Sequence, residues 1–154
     1  MDELSALLAM QLTFPFSPQR AKALMGSWTS AAELWHEQID SSSPLYPILK
    51  KGLWKKEMEL AYQSGFHLIG IHDKTYPRGL HKLPDPPLVL YYRGSLFSSD
   101  QKAIGIVGTR TPSSHGKTLA EKIGQECALS DITVVSGLAC GIDTAAHQGA
   151  LRDC

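Results

Sequence analysis

Residues 103–151 read AIGIVGTRTPSSHGKTLAEKIGQECALSDITVVSGLACGIDTAAHQGAL, and this segment is the most informative about the fold class. It contains apolar runs at 103–108 and 132–137, and each run is followed by a glycine-rich loop and a helical pattern. Continuous apolar runs are typical of strands buried in a parallel sheet. The helical patterns predict one helix over 116–129 and a last helix capped by Asp143. Strand, loop, helix, strand, loop, helix is the order of an α/β fold.

Two more strands are predicted upstream of this stretch. Residues 67–73 (HLIGIHD) and 88–94 (LVLYYRG) are short runs with strand composition. The connector between them, KTYPRGLHKLPDPP, contains four prolines. Because proline interrupts both helices and sheets, we expect irregular structure there.

The first 65 residues have the pattern of short helices. We expect helices over 3–12, from Pro18 to about Leu24, after Ser30 (AAELWHE) and from Ser43 to about Ser64, where Gly65 ends the last one. So small a bundle has a weak core alone and should pack against the strands that come after it. We therefore predict two domains, a helical domain at 1–65 and an α/β domain at 66–154.

Composition excludes several classes of protein. The chain has 154 residues, of which 43% are apolar and 19% charged, with a formal net charge of zero. This balance excludes a disordered chain and a histone-like grip on nucleic acid. No apolar run approaches a membrane span, and the N-terminus is too acidic for a signal peptide. The cysteines form no C-x-x-C pair, which argues against a zinc site or a disulfide framework. We expect a cytoplasmic protein that binds no metal or other cofactor and does not associate with a membrane.

Two loops carry the candidate chemistry. In open α/β sheets, ligands bind beyond the carboxyl ends of the strands. The first loop offers hydroxyl groups and a guanidinium group beside a helix N-terminus, all of which suit an anion. The second loop holds two glycines four residues apart. Neighbouring loops of this kind predict one anion-binding cleft, with these candidate residues: Gly108, Thr109, Arg110 and Ser113 in the first loop, and Ser136, Gly137 and Gly141 in the second.

Two familiar nucleotide motifs are absent. Residues 116–118 (GKT) resemble the end of a Walker A loop, but Thr111 stands where that loop requires its first glycine. Gly105 and Gly108 do not have the spacing of the G-x-G-x-x-G dinucleotide fingerprint. A P-loop NTPase and an NAD site are both disfavoured.

Charge is unevenly distributed along the chain. Between residues 74 and 117 there are seven basic side chains but only two acidic ones, Asp85 and Asp100. Tyr76, Tyr91, Tyr92 and Phe97 are interleaved with them and offer rings for base stacking. The alternative, favoured for Tyr91 and Tyr92, is that these rings pack within the fold. The basic residues are Lys74, Arg78, Lys82, Arg93, Lys102, Arg110 and Lys117.

The loop sequences resemble the DNA-processing protein A (DprA, or Smf) family. They match its patterns G-[ST]-R-x-x-S-x-x-G and S-G-x-A-x-G-I-D-x-x-A-H-x-x-A-L. Upstream, Tyr76-Pro77, Pro86-Pro87 and Arg93-Gly94 fit the family's approach to its first core strand. The N-terminal helices are similar to its sterile-alpha-motif-like (SAM-like) domain. His115 and Cys140 depart from the residues that are frequent in the family.

This resemblance implies a fold and a function. The fold is a small helical SAM-like domain followed by the first half of an extended Rossmann-like parallel sheet. The function is that of a single-stranded-DNA-binding recombination mediator, which protects incoming DNA in natural transformation and helps to load the RecA recombinase. The family also implies a homodimer, and phosphate contacts from the loop residues named above. Because family members continue past Leu151 with more strands, we expect this chain to be incomplete at its C-terminal end.

The alternative is a Rossmann-like enzyme that cleaves nucleoside monophosphates. Such enzymes also place small residues, hydroxyl groups and an arginine at strand ends, but they need a carboxylate facing the sugar. Glu121 and Glu126 are spaced to be solvated, and no nucleophile accompanies His147. A binding protein without catalysis is therefore the leading hypothesis.

Overall fold

A computed structural model describes residues 2–15, 17–26, 30–34, 39, 41–96 and 102–152. The chain forms two compact units, Met1–Leu96 and Phe97–Cys154. Among its described residues, the first unit contains five helices, a two-stranded sheet and one further helical turn. The elements are α1 (Glu3–Thr13), α2 (Pro18–Met25), α3 (Ala31–Leu34), α4 (Tyr46–Lys50), α5 (Leu53–Gln63), β1 (His67–Gly70), α6 (Arg78–His81) and β2 (Val89–Tyr92).

The central element of the first unit is α1. Residues Ser5 to Met10 are all buried, so this helix is covered on every side. It packs against α2–α5 and against both β1 and β2. The common core includes Leu7, Leu8 and Met10 of α1 together with strand residues such as Ile69 and Val89. The helices therefore pack against the strands after them, as predicted.

Those core contacts explain why the first unit extends beyond the predicted domain boundary at residue 65. β1 and β2 pair antiparallel, with His67 opposite Tyr92 and Gly70 opposite Val89. One face of this sheet covers α1, so the strands belong to the helical unit by packing. The boundary between compact units lies after Leu96.

Several local expectations for this unit are confirmed. Pro18 begins α2, and the Ser30 hydroxyl oxygen accepts from the Glu33 amide at 3.3 Å at the start of α3. Gly65 has a left-handed φ of 74° just past α5. Of the predicted AAELWHE helix, the last three residues lie outside the described part.

Two local expectations are wrong. The single helix predicted over 43–64 is two helices, because Gly52 adopts a left-handed φ of 61° between α4 and α5. The connector predicted to be irregular includes α6, a short helix that starts directly after Pro77. Proline is compatible with a helix start, so a punctuated segment still accommodates one turn.

The second unit has the predicted order of an α/β fold. It consists of β3 (Ala103–Gly105), α7 (Ser114–Leu129), β4 (Thr133–Val135) and α8 (Ile142–Ala150). β3 and β4 pair in parallel, with Ile104 opposite Val134. This parallel pair with its connecting helix confirms the Rossmann-like α/β prediction. No helix among the described residues is both long enough and apolar enough to cross a bilayer.

The prediction that 103–108 and 132–137 form fully buried strands is wrong for the described part of the chain. All three β3 residues are exposed, and Val135 at the end of β4 is 55% exposed. The physical reason is that burial of a parallel strand needs neighbours on both sides and layers on both faces. Within the described residues, β3 and β4 pair only with each other.

Candidate functional site

The two candidate loops start side by side at one edge of the parallel sheet. We call residues 106–113 loop 1 and residues 136–141 loop 2. The Ile106 amide donates to the Val135 carbonyl at 3.0 Å, and the Ser136 hydroxyl donates to the Ile106 carbonyl at 2.6 Å. Because parallel strands end at the same edge, the chemistry of both loops is brought together there.

A glycine contact holds the two loops together. Gly141 has a φ of 98°, and a Cβ atom there would overlap the Thr109 carbonyl oxygen and lie 2.8 Å from the Arg110 Cα atom. The next amide, of Ile142, donates to the same Thr109 carbonyl at 3.2 Å. Only glycine allows so close an approach at this φ. The structure thus brings three of the predicted residues into contact: Thr109, Arg110 and Gly141.

Loop 1 is exposed and organised by its own hydroxyl groups. The Thr109 hydroxyl oxygen accepts from the Thr111 amide at 3.1 Å, and the Ser113 hydroxyl oxygen accepts from the Gly116 amide at 3.1 Å. Ser113 is thereby the N-cap of α7, which begins at Ser114. Gly108 lies against α8, because a Cβ atom there would be 2.7 Å from Ile142. These contacts fix the backbone on which Arg110 stands.

Arg110 is the cationic group of this edge. Its side chain is exposed, and within the described ranges no carboxylate lies within ion-pair distance of its guanidinium group. The N-cap residue of α7, Ser113, follows three residues after it, and the start of that helix adds partial positive charge. This combination suits a phosphate oxygen.

Asp143 organises loop 2, and the prediction that it caps the last helix is wrong. The N-cap position of α8 is Gly141, which has no side chain to cap with. The Asp143 carboxylate instead accepts from the loop amides of Gly137 at 3.1 Å and Ala139 at 3.4 Å. Asp143 is 7% exposed. Sequence alone does not distinguish the two roles, because a first-turn aspartate can reach either set of amides.

The two helices behind the loops are in backbone contact. A Cβ atom on Gly124 of α7 would overlap the Ala146 carbonyl oxygen, and one on Gly149 of α8 would overlap the Glu121 carbonyl oxygen. Ala120, Ala145 and Ala146 are buried between them. Small residues therefore set the spacing of α7 and α8, whose first turns carry the loops.

The aromatic side chains of the basic stretch pack within the first unit. Tyr76 is 2% exposed, and its hydroxyl donates to the Pro87 carbonyl at 2.8 Å. The Tyr91 hydroxyl donates to Glu57 at 3.0 Å, and burial followed by this contact raises the pKa of Tyr91. Tyr92 stacks against His67. The packing interpretation is therefore confirmed for these three rings, while Phe97 lies outside the described residues.

Most of the predicted basic residues are exposed, but Arg93 is engaged. Its guanidinium group lies 4.7 Å from the Phe66 ring centroid and donates to the Ser64 carbonyl. In the second unit, the exposed cations near the loops are Arg110 and Lys117. Arg93 therefore has a structural role in the first unit.

The carboxylates considered for an enzyme are not placed at the loops. Glu121 lies 3.8 Å from Arg152, which follows the C-terminal end of α8, whereas the loops adjoin its N-terminal end. Glu126 is exposed further along α7. His147 has a buried Nε2 atom with no hydrogen-bond partner in the described ranges. Among the described residues there is also no cluster of three metal-ligating side chains.

The fold and the site together define a Rossmann-like α/β protein with paired glycine-rich loops at the carboxyl edge of a parallel sheet. A sequence model for the family described as DNA recombination-mediator protein A matches residues 67–154, more than half of the chain. The chain belongs to this family, which confirms the resemblance found in its loops.

Named relatives agree with this assignment. Protein Smf of Synechocystis is 48% identical over 84 residues, covering 52% of this chain and 21% of the relative. DNA processing protein DprA of Bacillus subtilis is 37% identical over 138 residues, covering 77% and 46%. The X-ray structure of DprA from Streptococcus pneumoniae superposes with a TM-score of 0.58 at 26% identity, over 98% of this chain and 50% of that one. The chain thus spans half or less of each of these relatives.

Proposed function

We propose that this protein binds single-stranded DNA through loops 1 and 2 of its second unit and acts as a recombination mediator. The observation that carries the proposal is the contact of Gly141 with Thr109 and Arg110, which places both loops and an exposed guanidinium group at one edge. Membership of a DNA recombination-mediator family and likeness to proteins named for DNA processing support it.

In this proposal the phosphates bind at loop 1. Arg110 supplies two parallel N–H donors, and Thr109 and Ser113 supply hydroxyl groups beside the N-terminus of α7. The Ser113 oxygen already accepts from Gly116, so its own proton is the one directed to a ligand. Ser136 acts through its hydroxyl contact with the Ile106 carbonyl, and Gly108, Gly137 and Gly141 act through the backbone, by setting where the loops lie.

We also propose a wider role for the protein, which rests on its membership of the family. The protein protects incoming single strands in the cytoplasm during natural transformation and helps to load RecA. It works as a homodimer, as a binding protein without a catalytic step, and it uses no metal or cofactor.

The test is oligonucleotide binding by wild-type protein and the Arg110→Ala variant. We expect Arg110→Ala to weaken binding of a fluorescent dT strand about tenfold at moderate salt, since charge-assisted contacts are the strong ones. The dependence of log affinity on log salt should also become shallower by roughly one phosphate contact.

The matched control is Lys122→Ala, which removes an exposed positive charge from α7 about 12 Å along the helix from Ser114. A generic effect of net charge would weaken both variants equally. Equal affinity of wild type and Arg110→Ala would remove the proposed role of Arg110.

A further inference from the structure

Loop 2 already uses several of its polar groups within the fold. The Ser136 hydroxyl proton is donated to the Ile106 carbonyl, and the amides of Gly137 and Ala139 are donated to Asp143. The Asp143 carboxylate that accepts from these two amides carries a negative charge. A phosphate approaching the same amides would meet repulsion from a buried like charge.

Loop 2 instead presents an apolar side chain to solvent. Leu138 lies between the two amides held by Asp143 and is 79% exposed. Its φ of 55° is in the left-handed region, which a leucine rarely adopts. Such a conformation persists only where the surroundings enforce it, and it is more frequent at functional sites.

The surroundings of Leu138 hold it on both sides. Before it, the Gly137 amide is fixed by Asp143, and a Cβ atom at Gly137 would lie 3.0 Å from that carboxylate. After it, the Ala139 carbonyl accepts from both the hydroxyl and the amide of Thr144, at 2.7 and 3.2 Å. The Leu138 backbone is therefore ordered before any ligand arrives, which lowers the entropic cost of a contact.

We propose that loop 2 contacts a nucleobase through Leu138, while loop 1 contacts the phosphates. This inference rests on the proposed function, because the base belongs to the same strand. Unstacked bases expose apolar faces, and the exposed Leu138 side chain belongs to the loop that contacts loop 1 through Gly141, so it can cover such a face without selecting one base. Loop 1 and loop 2 thus contact different chemical parts of the same DNA strand.

The experiment compares two strands of equal length and phosphate number, a dT 12-mer and a fully abasic 12-mer. We expect Leu138→Ala and Leu138→Gly to weaken binding of the dT strand about fivefold, because part of the leucine surface is no longer covered. Both variants should bind the abasic strand as wild type does. Leu138→Gly should melt no lower than wild type, since glycine adopts this φ without strain.

The matched control is Leu129→Ala, at a leucine that is 63% exposed at the other end of α7. It should leave binding of both strands unchanged. An equal loss on the dT and abasic strands, or no loss on either, would overturn the inference while leaving DNA binding intact. Wild-type protein that binds neither strand would overturn the proposed function itself, and this inference with it.

Discussion

The side chain of Gln11 completes the backbone hydrogen bonding of Val89. Its Nε2 atom donates to the Val89 carbonyl at 3.0 Å, and the Val89 amide donates to its Oε1 atom at 2.8 Å. Val89 begins β2 and is 1% exposed. One amide side chain from α1 therefore replaces a neighbouring strand and ties the N-terminal helix to a sheet 78 residues further along the chain.

The first prediction concerns this pair. Gln11→Ala leaves a buried donor and a buried acceptor without partners, so we expect the free energy of unfolding to fall by about 1–3 kcal/mol. Urea denaturation followed by circular dichroism measures it. Gln63→Ala, at an exposed position on α5, should change little. Equal effects of the two changes would show that the Gln11 contacts contribute nothing specific.

The second prediction concerns pH. Glu3 accepts from the amides of Ala31 and Ala32 and pairs with His72 at 2.9 Å. Burial alone would raise the pKa of Glu3, but the hydrogen bonds from Ala32, Ala31 and His72 outweigh it and lower that pKa below 4.5. A lowered folded-state pKa stabilises the protein above the unfolded value, and this stability is lost as pH falls through the folded value.

Glu3→Gln should therefore be less stable than wild type at pH 6, and the difference should shrink as the pH falls below about 4.5. Thermal melts across pH 3–6 measure it. Glu59→Gln, at an exposed glutamate of α5, provides the comparison. A difference that stays constant with pH would mean that the Glu3 charge is not what holds α3.

The third prediction separates the charge of Asp143 from its role as an acceptor. Asp143→Ala leaves the amides of Gly137 and Ala139 unpaired and should cost about 1–3 kcal/mol of stability. Asp143→Asn keeps an oxygen acceptor and should cost less. Hydrogen exchange at these two amides should quicken in the alanine variant. Unchanged exchange there would contradict the contact.

The fourth prediction concerns the junction of the loops. Gly141→Ala places a Cβ atom on the Thr109 carbonyl in a left-handed conformation, so we expect a loss of about 2 kcal/mol or more. Gly105→Ala is the control in the same unit, because a Cβ atom there would meet nothing within 4 Å. Calorimetric melting of the two variants compares them. Equal melting temperatures would show that the loops are not in contact.

Local signals in the sequence predicted much of this structure. Pro18, Ser30 and Gly65 mark helix ends because each satisfies or avoids the unpaired backbone groups found there. The change from helical spacing to short apolar runs correctly located all four strands found among the described residues. The loop edge was predictable for the same reason, since strand order alone places both loops on one side of a parallel sheet.

The expectations that differ from the structure depend on backbone conformation and on packing that the spacing of residue types does not reveal. A left-handed Gly52 divides a helical pattern that is continuous in letters, and the pattern does not reveal its φ. The grouping of β1 with the N-terminal helices depends on the packing of β1 against α1. The end of α1 lies 54 residues before the start of β1 in the sequence. Asp143 could reach two sets of amides, and only the three-dimensional course of loop 2 decides between them.

The backbone contact between α7 and α8 has a consequence for how this sequence can vary. Positions 124 and 149 lie away from the loops and touch no proposed ligand, yet neither has space for even a methyl group. In a saturation mutagenesis survey both should therefore be as intolerant as Arg110, and for a different reason. Strict invariance at these two sites would reflect the distance between helix axes and would be mistaken for participation in binding.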